Sequence, residues 1–247
     1  VYMSATRNNP NQPVLILADG MARNGRVIAD TRLENGLPKI SGDGNYVVYN
    51  SFLDGEMDIY LYDVRNDFTV NLTNSDIPEY FPTINYDGSV IVYEKLLGGS
   101  PTAVDFIELF ACDRDGGNER QLTLNKFADT LPAITDDGQW VVFVSRRWDF
   151  TGDGHYDETM FYMDINGETT YKITKDPFYD CPRISTLSDG RLAAVVNRVR
   201  RSPQGGPREE RNWLYFSEDE GETWSGPQET PVEGVVPDQV VGEPAPH

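Results

Sequence analysis

Basic residues, cysteine, histidine and long apolar runs are all scarce in this sequence, and each shortage removes a class of function. The 247 residues carry 21 Lys and Arg against 40 Asp and Glu, a formal net charge of −19. A field of that sign repels polyanions, which excludes nucleic acid and disfavours an anionic membrane surface. The longest apolar stretches, such as Trp140 to Val144, stop at five residues, far short of the ~20 that a membrane-spanning helix requires. With two His and two Cys, the chain cannot assemble a zinc cluster, a Cys-His pair or a Ser-His-Asp triad, and it has no Gly-rich phosphate loop. Cys112 and Cys181 fall in non-adjacent repeats and are expected as two buried thiols, not a bridge. Helical periodicity is missing as well, since no stretch longer than ten residues spaces its apolar side chains as an amphipathic helix does.

Short strands and tight turns are what the sequence does have. Four segments share one template, an apolar residue plus proline leading through Asp-Gly into an apolar run. They are Leu37-Pro38 to Gly44, Phe81-Pro82 to Gly88, Leu131-Pro132 to Gly138 and Cys181-Pro182 to Gly190, and their prolines stand 44, 50 and 50 residues apart. That period fits one four-stranded propeller blade. The runs after Asp-Gly (Tyr46 to Tyr49, Val90 to Tyr93, Trp140 to Val144, Leu192 to Val196) are continuously apolar, as a strand buried on both faces requires. Asp-Gly is expected to form a two-residue hairpin with positive φ angles before each run. A third run and a fourth, ending in Leu-Thr or Ile-Thr, complete strands a, b, c and d of each unit.

The first residues enter in mid-repeat: Val1 to Ser4 resembles a b strand, Val14 to Ala18 a c strand and Arg26 to Ala29 a d strand. Val236-Pro237 carries the apolar-proline signature again. The expectation is therefore an all-β protein, a β-propeller of five four-stranded blades closed by strands from both termini. As one domain over residues 1–247, its blades would cover about 1–30 plus 235–242, 36–74, 80–124, 130–175 and 180–230. A fragment of a larger protein, with the Val-Pro strand belonging elsewhere, is the other reading of the same termini.

Pro38 to Tyr49 and Pro132 to Arg146 resemble the Pro-x-(Ile/Trp)-Ser-x-Asp-Gly start of the TolB-like group of WD-type propeller repeats, and the likeness extends over about residues 30 to 200. The resemblance implies the propeller fold strongly and function weakly, because TolB-like propellers serve as periplasmic docking modules, peptidase gating domains and scaffolds. It implies a periplasmic or extracellular setting for a mature chain; no signal peptide is visible. Ser217, Asp219, Gly221, Thr223 and Trp224 fit the Asp-box of sialidase-like propellers. The box reads as a structural c to d hairpin, in which the carboxylate caps turn amides and the Trp anchors the turn. It does not make the chain a sialidase, since the arginine cluster and Tyr nucleophile of a retaining enzyme cannot be assembled.

Three groups carry candidate chemistry. Asp149, Thr151, Asp153 and Asp157, with the His155 carbonyl and Glu158, match the first part of an EF-hand-type loop. A structural Ca2+ or an acidic solvated loop both fit it, and Thr at the third position and Met160 at the twelfth depart from the pattern. Arg198, Arg200, Arg201, Arg208 and Arg211 fall in one b to c loop, either a solvated excursion or a dock for an acidic partner. Asn35, Glu79, Asp129, Tyr179 and Asp180 precede the blade prolines, where they either ring the channel mouth to receive a cationic peptide segment of a partner or an ion, or cap turns and stay hydrated. The expected function is a non-catalytic protein-binding or scaffold subunit using the funnel face and the long b to c loops. The alternative is a carbohydrate-binding or glycoside-hydrolase-like propeller built on Glu79, Asp129 and Asp180, which a buried acid with a raised pKa would favour.

Overall fold

A computed structural model describes residues 2–6, 9–18, 25–30, 38–53, 55–98, 107–148, 157–173, 180–187, 189, 191–200, 209–219, 223–225 and 228–229. The chain forms two compact units, Val1–Lys126 and Phe127–His247.

The first unit holds three antiparallel sheets. Sheet one is β1 (Tyr2–Thr6), β2 (Asn9–Leu17) and β3 (Arg26–Asp30). Sheet two is β4 (Lys39–Ile40), β5 (Tyr46–Ser51), β6 (Asp58–Asp63) and β7 (Phe68–Asn71). Sheet three is β8 (Glu79–Ile84), β9 (Val90–Leu96), β10 (Ile107–Asp113) and β11 (Arg120–Gln121). The second unit holds sheet four, β12 (Asp129–Ile134), β13 (Trp140–Trp148), β14 (Asp157–Asp164) and β15 (Thr170–Lys172). Sheet five is β16 (Asp180–Thr186), β17 (Leu192–Arg200), β18 (Glu209–Ser217) and β19 (Gln228–Glu229). Every sheet is a simple meander in chain order, and the four-stranded ones follow the a, b, c, d units of the repeat. The strand expected at residues 235–242 lies outside the described residues.

The continuous apolar runs are buried on both faces. In sheet two, Val47 and Tyr49 point into a cluster with Leu15, Tyr60 and Tyr62. Val48, one residue out of phase, points the other way with Ile59 and Leu61, against Ile84, Ile91, Tyr93 and Phe110 of sheet three. Each strand of that kind is a shared wall between two sheets, and each fully buried side chain of this size contributes about 1.5–3 kcal/mol. Sheets four and five pack likewise, with Val142, Met160 and Tyr162 against Leu192, Ala194 and Tyr215. Cys112 is a buried free thiol, pushed up to about 12 by burial.

The a to b turns differ from the expected two-residue hairpins. Ser41, Asn85 and Thr135 donate their amides to the carbonyls of Tyr46, Val90 and Trp140, so four residues form each connection. Gly44, Gly88 and Gly138 accept a left-handed φ of 72 to 74°, which a side chain would resist, and none of the three preceding Asp residues has a positive φ. Asp43, Asp87 and Asp137 instead act through their carboxylates: Oδ1 accepts the amide of residue 45, 89 or 139 at 2.9–3.0 Å. Ser41, Asn85 and Thr135 donate side-chain hydrogen bonds to the same oxygen. This is an Asx-type turn, and it explains the recurring Ser, Asn or Thr two residues before Asp.

The apolar-proline signature is a β-bulge. Register shifts between Tyr80 and Thr83, between Thr130 and Ala133 and between Asp180 and Arg183, which drops two residues from each ladder. Proline fits there because no ladder donor is required of it. Phe81 and Leu131 take φ of 48° and 54°, a strained choice for bulky residues that costs about 1–3 kcal/mol each. The bulge separates the residue that opens each a strand from the rest of its ladder.

Candidate functional site

Three of the a strands open on an acid, Glu79 and Asp129 three residues before the proline and Asp180 two, and the bulge sets that acid against the end of strand b. Glu79 pairs in register with Lys95, Asp129 with Ser145 and Asp180 with Asn197. Glu79 and Asp129 are 0% exposed. Their burial follows from the register, because the position sits behind the last residues of strand b. Asn35 and Tyr179 lie outside the described residues, and of Asp180 only the strand position is described.

Glu79 is embedded in a network that the sequence did not reveal. Ser75 donates its hydroxyl to Glu79 Oε1 at 2.5 Å, and the Lys95 ammonium lies 3.2 Å from the same oxygen. Lys95 continues to Glu119 Oε1 at 2.8 Å, which also accepts the Tyr93 hydroxyl at 2.6 Å. The ammonium sits 5.2 Å from the Phe110 ring centroid, within cation–π range. Among the described residues, none donates to the buried Glu79 Oε2. Burial therefore pushes the Glu79 carboxyl above its ordinary value, against the hydrogen bonds of Ser75 and Thr73 and the attraction of Lys95. Desolvation pulls on Lys95 in the opposite sense, but its bonds to Glu119 and Glu79 outweigh it and hold the ammonium above its usual value. Glu119 is also penalised by burial, yet Lys95 and Tyr93 hold it below the usual range. One sequence signal could have exposed this network: the seventh residue after the turn glycine is Ser51, Ser145 or Asn197 in the other units and Lys95 only here.

The Leu-Thr ending of strand d has a local role. Thr73 and Thr123 accept the amides of Ile59 and Leu109. Asp58 and Glu108, which lie near the start of strand c, accept the amides of Ser75 and Asn125. These acids are tied to backbone in the links from strand d to the next strand a.

The Arg-rich segment is shorter than expected as a loop. β17 and β18 extend through it, with Arg198 opposite Arg211 and Arg200 opposite Glu209, so three of the five arginines occupy ladder positions. Arg201 and Arg208 lie outside the described residues. Of the calcium-like segment, Asp157 and Glu158 open β14, with Asp157 opposite Trp148; Asp149, Thr151, Asp153 and His155 lie outside the described residues. Among the described residues, no three His, Cys, Asp or Glu side chains come together to hold a metal ion. No helix among them is long and apolar enough to cross a membrane.

Ser217 stands opposite Leu192, the register position that Asp63, Asp113 and Asp164 hold opposite Tyr46, Val90 and Trp140. Asp219 accepts the Ser217 hydroxyl at 2.8 Å, the Thr223 amide at 2.8 Å and the Thr223 hydroxyl at 2.5 Å. Trp224 packs edge-on to Tyr162 with ring centroids 5.7 Å apart, and Gly221 lies outside the described residues.

No protein-family model matches the chain. Among solved structures it is similar to TolB from Acinetobacter baumannii, with 21% identity over 89% of this chain and 49% of that one, at a TM-score of 0.61. A putative TolB from Agrobacterium tumefaciens is 17% identical over 88% and 74% of the two chains, at 0.55. Oligogalacturonate lyase from Vibrio parahaemolyticus is 12% identical over 89% and 68%, at 0.50. The chain thus spans about half the length of the first of these. At such identities the likeness speaks to architecture alone, and together with the all-β meander sheets it shows that the chain has the TolB-like β-propeller fold.

Proposed function

We propose that this chain is a non-catalytic binding or scaffold subunit of a periplasmic or extracellular system, holding another protein at the sheet ends that carry the b to c and d to a connections. The observation that carries this reading is an inversion at those ends. The carboxylates suited to chemistry are turned inward, with Glu79 and Asp129 fully buried, while Phe52, Leu53, Leu97 and Leu124 are exposed on the connections. Exposed apolar side chains are what a protein partner covers. Within this reading the five sheets form one ring, residues 235–242 supply the inner strand of sheet one, and the Ser217 to Trp224 hairpin is a structural Asp-box. The Asp149 to Glu158 segment would hold a structural Ca2+, and the Arg198 to Arg211 segment would meet an acidic partner surface.

A carbohydrate-directed activity is the second reading. It is favoured by the raised Glu79 carboxyl and by the likeness to a lyase fold. Affinity capture with the tagged chain, with and without calcium chelation, read by mass spectrometry beside a glycan array, separates the two. A stoichiometric protein partner and an empty glycan array are expected. Glycan retention without a protein partner would replace the scaffold reading with the carbohydrate one.

A further inference from the structure

Four of the large apolar side chains exposed in the first unit, Phe52, Leu53, Leu97 and Leu124, lie on the connection end of its sheets two and three. Phe52 and Leu53 sit on the β5 to β6 connection and are 41% and 47% exposed. At the far end of that connection, the Met57 carbonyl accepts the Glu79 amide at 2.7 Å. The neighbouring Pro78 carbonyl accepts the Leu96 amide at 3.0 Å, which places Leu97, 41% exposed, next along the rim. Across the ladder from Lys95 stands Glu108, whose carboxylate accepts the Asn125 amide at 2.8 Å, and Leu124 beside it is 82% exposed. Backbone hydrogen bonds and ladder pairs thus string four large apolar side chains along one edge of two adjacent sheets. The opposite end of the same sheets is built of Asx-capped turns, where Asp43, Asp87 and Asp115 are exposed.

We infer that this rim, Phe52, Leu53, Leu97 and Leu124, docks a segment of another protein that presents leucine- or phenylalanine-sized side chains flanked by lysine or arginine. The charge argues for that partner. The rim connections carry the exposed Glu56 and Asp76 against Lys126, in a chain of net charge −19, so a basic flank is attracted and an acidic one repelled. The apolar anchors supply the buried contact and the charges supply steering and orientation. The inference rests on the binding-subunit reading and adds the location and chemistry of the partner to it.

The test is fluorescence anisotropy with a labelled peptide of repeating Leu-Lys pairs, beside Ser-Lys and Leu-Glu counterparts. The protein is used as the full chain and as a Phe52→Ser, Leu97→Ser, Leu124→Ser variant. Ile40→Ser and Tyr86→Ser, exposed at the turn end, serve as controls. The expected result is binding of the Leu-Lys peptide that weakens about tenfold or more in the rim variant and is unchanged in the controls. Equal binding by the rim variant, equal binding of the Ser-Lys or Leu-Glu peptide, or a chain that sediments as a dimer and becomes monomeric on rim substitution would each overturn the inference. If the triple variant melts early, Leu124→Ser alone is scored by the same criteria, because so exposed a side chain is nearly free of folding cost. Glycan retention would remove the binding-subunit reading itself, while a protein partner that still binds the rim variant would remove only the rim.

Discussion

The two ends of the same strands treat carboxylates in opposite ways. At the turn end, Asp87 faces water, and hydrogen bonds from Ser89 and Asn85 hold its carboxyl below the usual range. At the connection end, Glu79 is taken out of water and its carboxyl is pushed up by burial. The turn end repeats one solution in three successive units: a Ser, Asn or Thr, a residue, Asp and a left-handed Gly. The connection end repeats only the position of the acid, and changes its cross-strand neighbour from Lys95 to Ser145 to Asn197. The difference teaches that a propeller repeat standardises what closes a hairpin and leaves the ends where strands enter and leave free to specialise.

The largest expected effect comes from breaking the specialised end. Lys95→Met removes the cation paired with a fully buried carboxylate and leaves Glu79 without it, which costs about 3–5 kcal/mol. Chemical denaturation at neutral pH measures it. A cost below about 1 kcal/mol would mean that Lys95 merely fills space along Phe110. The double variant Lys95→Met, Glu79→Gln should recover a large share, since the charge that made the single change expensive is gone.

The standardised end should be cheaper to break. Asp137→Ala removes a cap that receives the Thr135 hydroxyl and the Gln139 amide. The expected loss is about 1 kcal/mol, by analogy with other side-chain caps of backbone amides. The same change at Asp43 or Asp87 should give a similar value, because the three turns share one geometry, and equality across the three is the sharper measurement. Gly88→Ala should exceed them, since Gly88 has a φ of +72° and an added Cβ would approach the Tyr46 ring to 2.4 Å.

These magnitudes also show how much was legible in the sequence. The turns were visible because their chemistry is local: Asp-Gly with Ser, Asn or Thr two residues earlier is a contiguous pattern. The loop length and the Asp conformation were misread, since Asp-Gly suggests a two-residue hairpin with positive φ at both positions, whereas the Asp keeps a negative φ and its carboxylate caps a four-residue turn. The strands were visible for the same reason, as apolar runs of constant phase after each glycine. The Glu79 network was not, because Ser75, Glu79, Lys95 and Glu119 spread over 45 residues and meet only through the bulge and the packing of sheet two on sheet three. Nor could composition say that Glu79 and Asp129 would be dry, since an acid before a proline reads as a surface cap. The Arg-rich segment misled through its Gly and Pro content, which suggested a loop beginning at Arg198, while the β17 and β18 ladder runs on to Arg200 and Glu209.

The smallest effect, and the one that separates the two ends by sign, is in the pH dependence. Asp87 has a folded pKa below its ordinary value, so its contribution is present above the ordinary aspartate range and is lost as pH falls through the lowered value. Glu79 runs the other way: its folded pKa lies above the ordinary 4.5, so its contribution is complete below 4.5 and is lost as pH rises through the raised value. The shift is contained because Ser75, Thr73 and Lys95 all oppose burial. Stability measured for the wild type and Glu79→Gln between pH 4 and 8 should therefore diverge, with the wild type losing ground to the variant as pH rises. An Asp87→Asn comparison taken down to pH 3 should show the wild type losing ground as pH falls. If Glu79→Gln tracks the wild type at every pH, the Lys95 pair offsets burial completely, and the connection end then holds its carboxylate as comfortably as the turn end does.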